Sequence, residues 1–227
     1  MYQRYIKRLL DITFASIMLI AALPITLMVS ALIKIESNGP VVFTQKRTGL
    51  YGKVFNLRKF RSMAHDNNVR DVTKQDQLTR IGKIIRSLSL DEMPQLVNVL
   101  RGEMSFIGPR PWIPEYFEHM TTKQRQRNCV LPGITGLAQA FGRNSLTINQ
   151  KINYDLEYVK DISFKEDVKI IFITLKTMFD KSTHEIGKSG IHSELDILKK
   201  QHLISSPATE AQNKDRNTLK LKNGLYS

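Results

Sequence analysis

The chain has 227 residues, 34 Lys plus Arg against 21 Asp plus Glu, a formal net charge of +13 and a single cysteine. One cysteine excludes an intramolecular disulfide framework and suits a reducing compartment, and five scattered histidines show no zinc-ligand spacing. The basic excess persists within residues 41–143, so it belongs to a folded domain and points to an anionic partner: lipid headgroups, nucleotide phosphates or nucleic acid.

Residues Ile12 to Ile33 carry no charge. At ~1.5 Å per residue this run is long enough for a ~30 Å hydrocarbon core. Arg4, Lys7 and Arg8 precede it, and Lys34, Lys46, Arg47 and Lys53 follow. Basic residues mark the cytoplasmic side, so positive charge at both ends conflicts with a simple span. A helix broken at Pro24 that enters and leaves by the same face removes the conflict; a kinked single-pass anchor is the competing reading.

Val41–Gln45 and Lys53–Leu57 read as strands, joined by Thr48-Gly49-Leu50-Tyr51-Gly52 in a hairpin. Residues 64–77 are polar and read as an exposed loop. Thr79 caps an expected helix with Ile81, Ile84, Ile85 and Leu88 on one face. Asp91 is placed as N-cap of the next helix, with Pro94 in its first turn and Met93, Leu96, Val97 and Leu100 as packing residues running to about Leu100. A carboxylate there would feel the positive helix end, which also attracts phosphate, so Asp91 is a candidate nucleophile toward phosphorus. The competing reading is structural, since Ser89-x-x-Glu92 matches a capping box.

Pro114 to about Asn128 reads as one helix, and Leu131–Gln139 as a glycine-rich loop entering a strand. Thr147–Lys160 reads as a helix carrying Asp155. Phe164–Phe179 has an apolar stripe flanked by lysines, fitting either an interfacial helix or a core helix with solvated lysines. Ile191–Ile204 is a short amphipathic helix, and 205–227 is polar enough for disorder. The fold class is α+β, mostly helical with a small β-hairpin or sheet. Its expected parts are a membrane segment at 1–40, a catalytic domain at 41–182 and a tail at 183–227.

The ordered motifs resemble the bacterial sugar transferases, monotopic polyprenyl-phosphate phosphoglycosyl transferases. They are Gln45-x-Arg47-x-Gly49, Lys59-Phe-Arg-Ser-Met63, Ser87-Leu-Ser-Leu-Asp-Glu-Met-Pro-Gln-Leu96, Asn98-Val-Leu-Arg-Gly102, Met104-Ser-Phe-Ile-Gly-Pro-Arg-Pro111, Pro132-Gly-Ile-Thr-Gly136, Gly142-Arg-Asn144 and Tyr154-Asp-x-x-Tyr158. The resemblance implies a re-entrant membrane helix and transfer of a phosphosugar from a UDP-sugar to undecaprenyl phosphate, releasing UMP. It further implies a location on the cytoplasmic face of the bacterial inner membrane. By the same resemblance Asp91 forms a covalent phosphosugar intermediate and Glu92 assists through Mg²⁺, which takes few carboxylates and keeps phosphate oxygens. The chain departs from the family at Leu23-Pro24, where many members have Ser-Pro, and at Gly136-Leu-Ala-Gln139, where Gly-Trp-Ala-Gln is common.

Five further residues are candidates for substrate contact. Arg143, between Gly142 and Asn144, suits a planar fork on diphosphate, against an ordinary surface arginine. Arg110, held by two prolines, binds substrate or orders its loop. Lys59 binds substrate or is a solvated strand end. Arg86 precedes the acidic pair. Asp155 is a second acid or magnesium-shell group, or a helix-surface carboxylate. The rival to the enzyme is a membrane-tethered basic protein binding anionic lipid or nucleic acid, although no nucleic-acid motif is present. A multi-pass sugar-phosphate transferase is disfavoured by the single hydrophobic run.

Overall fold

The computed structural model describes residues 1–63, 78–142, 145–178 and 191–204. The expected loop at 64–77, Arg143 and the tail from 205 lie outside the described residues.

A π-helical turn at Tyr2–Ile6 runs into helix α1 (Lys7–Ala21), and α2 (Leu23–Glu36) follows at a 61° bend. Pro24 sits in the first turn of α2, where the lack of an N–H costs nothing, and the bond from Thr26 N to Ala22 O starts the new helix. Neither helix is by itself long and apolar enough to cross a membrane. Ala15 of α1 is fully buried, and Val29 and Ile33 of α2 pack on Phe60 and Ile85. The remaining apolar side chains are largely outward, with Leu9, Ile20, Leu27 and Ile35 all more than half exposed.

Strands β1 (Val42–Thr48) and β2 (Val54–Phe60) form the expected antiparallel hairpin, in register Val42↔Phe60 to Thr48↔Val54. Both extend two or three residues further than composition suggested, because the chain does not turn until Gly49. The turn requires positive φ at Tyr51 (53°) and Gly52 (81°). Alternation puts Phe55 and Leu57 into the core and gives Lys59 the same parity. Helix α3 (Arg80–Ser87) starts as expected, with Thr79 Oγ1 accepting from Gly82 N. Of its apolar face only Ile85 is fully buried, while Ile84 and Leu88 are more than half exposed.

Helix α4 (Gln95–Leu100) leads to β3 (Ser105–Ile107). Then come α5 (Pro114–Glu118), α6 (Thr122–Arg125), β4 (Gly133–Thr135), α7 (Leu137–Phe141), α8 (Ile148–Lys160), α9 (Phe164–Met178) and α10 (Ile191–Ile204). The single helix expected over 114–128 is broken into α5, α6 and a 3₁₀ turn at Gln126–Asn128. Thr121 and Gln124 form a capping box that restarts the helix. The strand expected after Leu131 forms, yet Leu137–Gln139 is helical despite the neighbouring glycines.

Strands β3 and β4 pair in parallel, Ser105↔Gly133 and Ile107↔Thr135, a pairing no local pattern signals. The glycines explain it: a Cβ on Gly108, Gly133 or Gly136 would collide with the opposing backbone. One apolar cluster joins α1, β2 and α4 through Ala15, Phe55, Leu57, Leu96, Val99 and Met104. A second joins α5, α8 and α10 through Tyr116, Ile148, Ile152 and Leu198. The third joins β3, α7, α8 and α9 through Ile107, Leu137, Tyr158 and Ile170.

Polar ties fasten α1 to this body. Arg8 donates to Val99 O (2.6 Å) and Leu100 O (3.0 Å) at the end of α4, and Asp11 accepts from Ser105 Oγ and Phe106 N on β3. Asp167 of α9 accepts from Tyr2, Lys7 and Tyr158. The N-terminal helix is therefore clamped to the end of α4 and to β3, the segments that follow the acidic pair, and to α9.

Candidate active site

Asp91 and Glu92 lie in a short 3₁₀ turn, Leu90–Glu92, between α3 and α4. This corrects the expected N-cap: Pro94 precedes α4, and no side chain caps that helix. The Ser89 capping box also fails to form, because Ser89 takes the left-handed conformation (φ 56°) and Glu92 N bonds to its carbonyl instead. Burial and neighbouring cations, not a helix end, set the electrostatics of the pair.

Lys59 reaches the site from β2. Its Nζ lies 2.7 Å from Glu92 Oε1 and 3.6 Å from Asp91 Oδ2, so it bridges both carboxylates. Arg110 enters from the Pro109–Pro111 loop after β3, with Nη2 3.6 Å from the same Glu92 oxygen. Its side chain is 48% exposed, so about half of it is open to solvent. Arg86 is exposed on the last turn of α3, close enough for its charge to act on Asp91. Three of the expected cations thus surround the acidic pair. None of them is adjacent to it in sequence.

The two carboxylates are driven apart. Burial raises the pKa of Asp91, opposed first by Lys59, raised again by Glu92, and opposed by Arg86 and Arg110. Burial also pushes on Glu92, but Lys59 and Arg110, with hydrogen bonds from Lys59 and Gln95, hold it below its ordinary value. Glu92 is the settled anion. Asp91 is the carboxylate whose charged form burial disfavours.

Asp155 does not join this group. It is 2% exposed, and its Oδ2 accepts from Arg127 Nε (2.9 Å) and Nη2 (2.6 Å), so it is neither a surface carboxylate nor a group facing substrate. The reason is its place on α8, on the side that packs inward with Ile152 and Leu156.

Three residues near the site escaped sequence reasoning. Gln95, 3% exposed, supports Glu92 from three positions along the chain. Asn98, fully buried, accepts from Arg58 N and donates to Asn56 O, fixing β2 against α4 and with it Lys59 against Glu92. Polar residues inside the apolar run 93–100 were the available clue. Arg127, 1% exposed, carried no local clue at all.

Among the described residues no group of three or more His, Cys, Asp or Glu could hold a metal ion. Magnesium nevertheless takes one or two carboxylates and completes its octahedron with water and substrate phosphate. Glu92 would supply one carboxylate to such a sparse set.

The family model for bacterial sugar transferases matches residues 2–181. A Bacillus subtilis sugar transferase, EpsL, is 42% identical over 173 residues, covering 75% of this chain and 86% of that protein. The undecaprenyl-phosphate glucose phosphotransferase of Komagataeibacter xylinus is 41% identical over 186 residues, spanning 75% of this chain but 35% of the relative. A UDP-N-acetylgalactosamine-undecaprenyl-phosphate N-acetylgalactosaminephosphotransferase of Aeromonas hydrophila is 39% identical over 184 residues, 77% of this chain and 44% of the relative. On the extent of these matches, the chain belongs to the bacterial sugar transferase family.

Proposed function

We propose that this chain transfers a sugar 1-phosphate from a UDP-sugar to undecaprenyl phosphate through a covalent intermediate on Asp91. The observation that carries this reading is the pairing of a desolvated carboxylate with a second, cation-clamped carboxylate in one turn. In the first step an Asp91 carboxylate oxygen attacks the phosphorus bearing the sugar. The bond to the bridging oxygen breaks, and UMP leaves with that electron pair. In the second step a phosphate oxygen of undecaprenyl phosphate attacks the acyl phosphate, forming the diphosphate and restoring the carboxylate. Dividing the transfer lets one site serve a soluble donor and a lipid acceptor in turn.

Lys59 and Arg110 supply the positive field for charge developing on the phosphates. Magnesium, where bound, would be held by Glu92 and would neutralise diphosphate charge. The rival reading, a non-enzymatic basic protein, is not supported, because Lys59 and Arg110 converge on carboxylates rather than forming an open cationic face.

The outward apolar side chains of α1 and α2, joined at 61°, support a re-entrant segment lying in one leaflet. Exposed Phe164, Ile171, Phe172 and Leu175 along α9, flanked by Lys165, Lys169 and Lys176, support a helix in the interface on the cytoplasmic face. Gln3→Cys and Asn38→Cys in a Cys129→Ser background test the topology. Both sites should resist an impermeant periplasmic reagent, and labelling of either would establish a true span.

The activity is tested by UMP release from a panel of UDP-sugars with undecaprenyl phosphate, and by mass spectrometry of protein quenched before acceptor is added. A sugar-phosphate adduct mapping to Asp91 is expected. Turnover with no adduct at Asp91 removes the covalent step.

A further inference from the structure

The Pro109–Pro111 loop that aims Arg110 at Glu92 is held from behind by residues outside the site. Three consecutive carbonyls each accept a bond from another part of the chain. Arg127 Nη2 donates to Arg110 O (2.7 Å), Arg47 Nη1 to Pro111 O (3.3 Å) and Thr48 N to Trp112 O (2.8 Å). Arg127 is the hub. It donates from Nε and Nη2 to Asp155, and its guanidinium carbon lies 4.0 Å from the centre of the Trp112 ring. Asn128, the next residue, bonds Gly49 O at the hairpin turn (3.1 Å).

A buried ion pair is a poor device for stability, because desolvating two charges consumes most of what their attraction returns. It is a good device for fixing geometry, since a planar guanidinium with every partner in place admits few alternatives. We propose that Asp155 and Arg127 are positioning residues, whose ion pair fixes the 110–112 backbone so that the Arg110 side chain meets Glu92 and the donor diphosphate. Asp155 orients Arg127, Arg127 holds the Arg110 carbonyl and the Trp112 ring, and neither touches substrate. For its catalytic consequence this inference rests on the transferase reading above.

Trp112 is the only tryptophan in the chain, so its fluorescence reports on this loop without interference. The first test is the full-length charge-free pair Arg127→Met with Asp155→Leu, which keeps the volume and removes both buried charges. It is expected to fold with the parent's circular dichroism, to show greater acrylamide quenching of Trp112, and to release UMP about 10- to 100-fold more slowly. The second is Arg127→Lys, which keeps the charge toward Asp155 and loses the arm to Arg110 O. It is expected to move quenching and turnover in the same direction, and it decides the matter if the double variant does not fold. The third places the charge-free pair in an Arg110→Ala background. A positioning role predicts that most of the loss disappears there, because there is no longer a guanidinium to aim. Unchanged quenching in folded variants, or losses that multiply fully with Arg110→Ala, would overturn the proposal. Absence of UMP release from the parent would defeat the transferase reading instead, and Trp112 quenching alone would then decide the clamp.

Discussion

Two charged clusters in this protein use the same residue types to opposite ends. In the Arg127–Asp155 pair the side chains are 1% and 2% exposed, and the arginine is shared only among groups of the chain itself. In the Lys59–Glu92–Arg110 cluster the corresponding values are 21%, 21% and 48%, and the two cations crowd one carboxylate oxygen at 2.7 and 3.6 Å. The first cluster is closed to solvent, its arginine held by Asp155 Oδ2 and Arg110 O. The second is open, with two cations facing two carboxylates and Arg110 half exposed to solvent. Closure suits the role proposed for the first cluster, and exposure suits the role proposed for the second.

The sharpest break between them is Asp91→Asn. Turnover should fall by at least about three decades, as removal of a nucleophile does. The melting temperature should hold or rise, because burial already disfavours the charged form of Asp91. Residual turnover near the parent's, with deamidation excluded by mass spectrometry, would remove Asp91 from the mechanism.

Asp155→Asn should differ in costing stability as well as turnover. Leaving Arg127 buried without its counter-charge costs about 3–5 kcal/mol, read as a lower denaturant midpoint. A midpoint equal to the parent's would show that Arg127 is balanced by other groups.

Next in size is Arg110. Its replacement by Ala should lower kcat/KM for the UDP-sugar by one to two decades if charge-assisted bonds worth ~1.5–3 kcal/mol are fully formed in the transition state. Arg110→Lys should recover part of this, since charge survives and the fork does not. Stability should hardly change, given the exposure of the side chain. Equal kcat/KM for Ala and parent would make Arg110 an ordering element of its loop only.

The smallest effect concerns pH. Lys59 is the largest influence lowering Asp91, so Lys59→Met should raise the Asp91 pKa further. Asp91 must be ionised to attack, so the rate is lost as pH falls through its pKa. The acidic limb of kcat should therefore move to higher pH, a shift moderated by the partial exposure of Lys59. A shift downward would mean that Lys59 acts mainly through the ligand.

The contrast between the clusters also measures what could be read from the chain. The broken helix at Pro24, the hairpin about Gly49–Gly52, the Thr79 cap, the helix from Thr147 and the acidic pair were all legible, because each depends on residues within a few positions of one another. The cap assigned to Asp91 failed for a local reason too small to see, the left-handed turn at Ser89. The single helix expected over 114–128 failed because a capping box at Thr121 overrode a continuous helical pattern.

By itself the sequence determined the element types, the family motifs and the identity of the two carboxylates, since propensity, periodicity and motif spacing act over short stretches. Tertiary structure decided which distant charges meet. It brought Lys59 from β2 and Arg110 from the loop after β3 onto Glu92, and it sealed Asp155 against Arg127. The parallel β3–β4 pairing, permitted only where glycines let backbones approach, sets the strand from which the Arg110 loop departs. Burial and counter-charge are sums over neighbours from the whole chain, so whether a carboxylate becomes a nucleophile or a strut is settled only once those neighbours are in place.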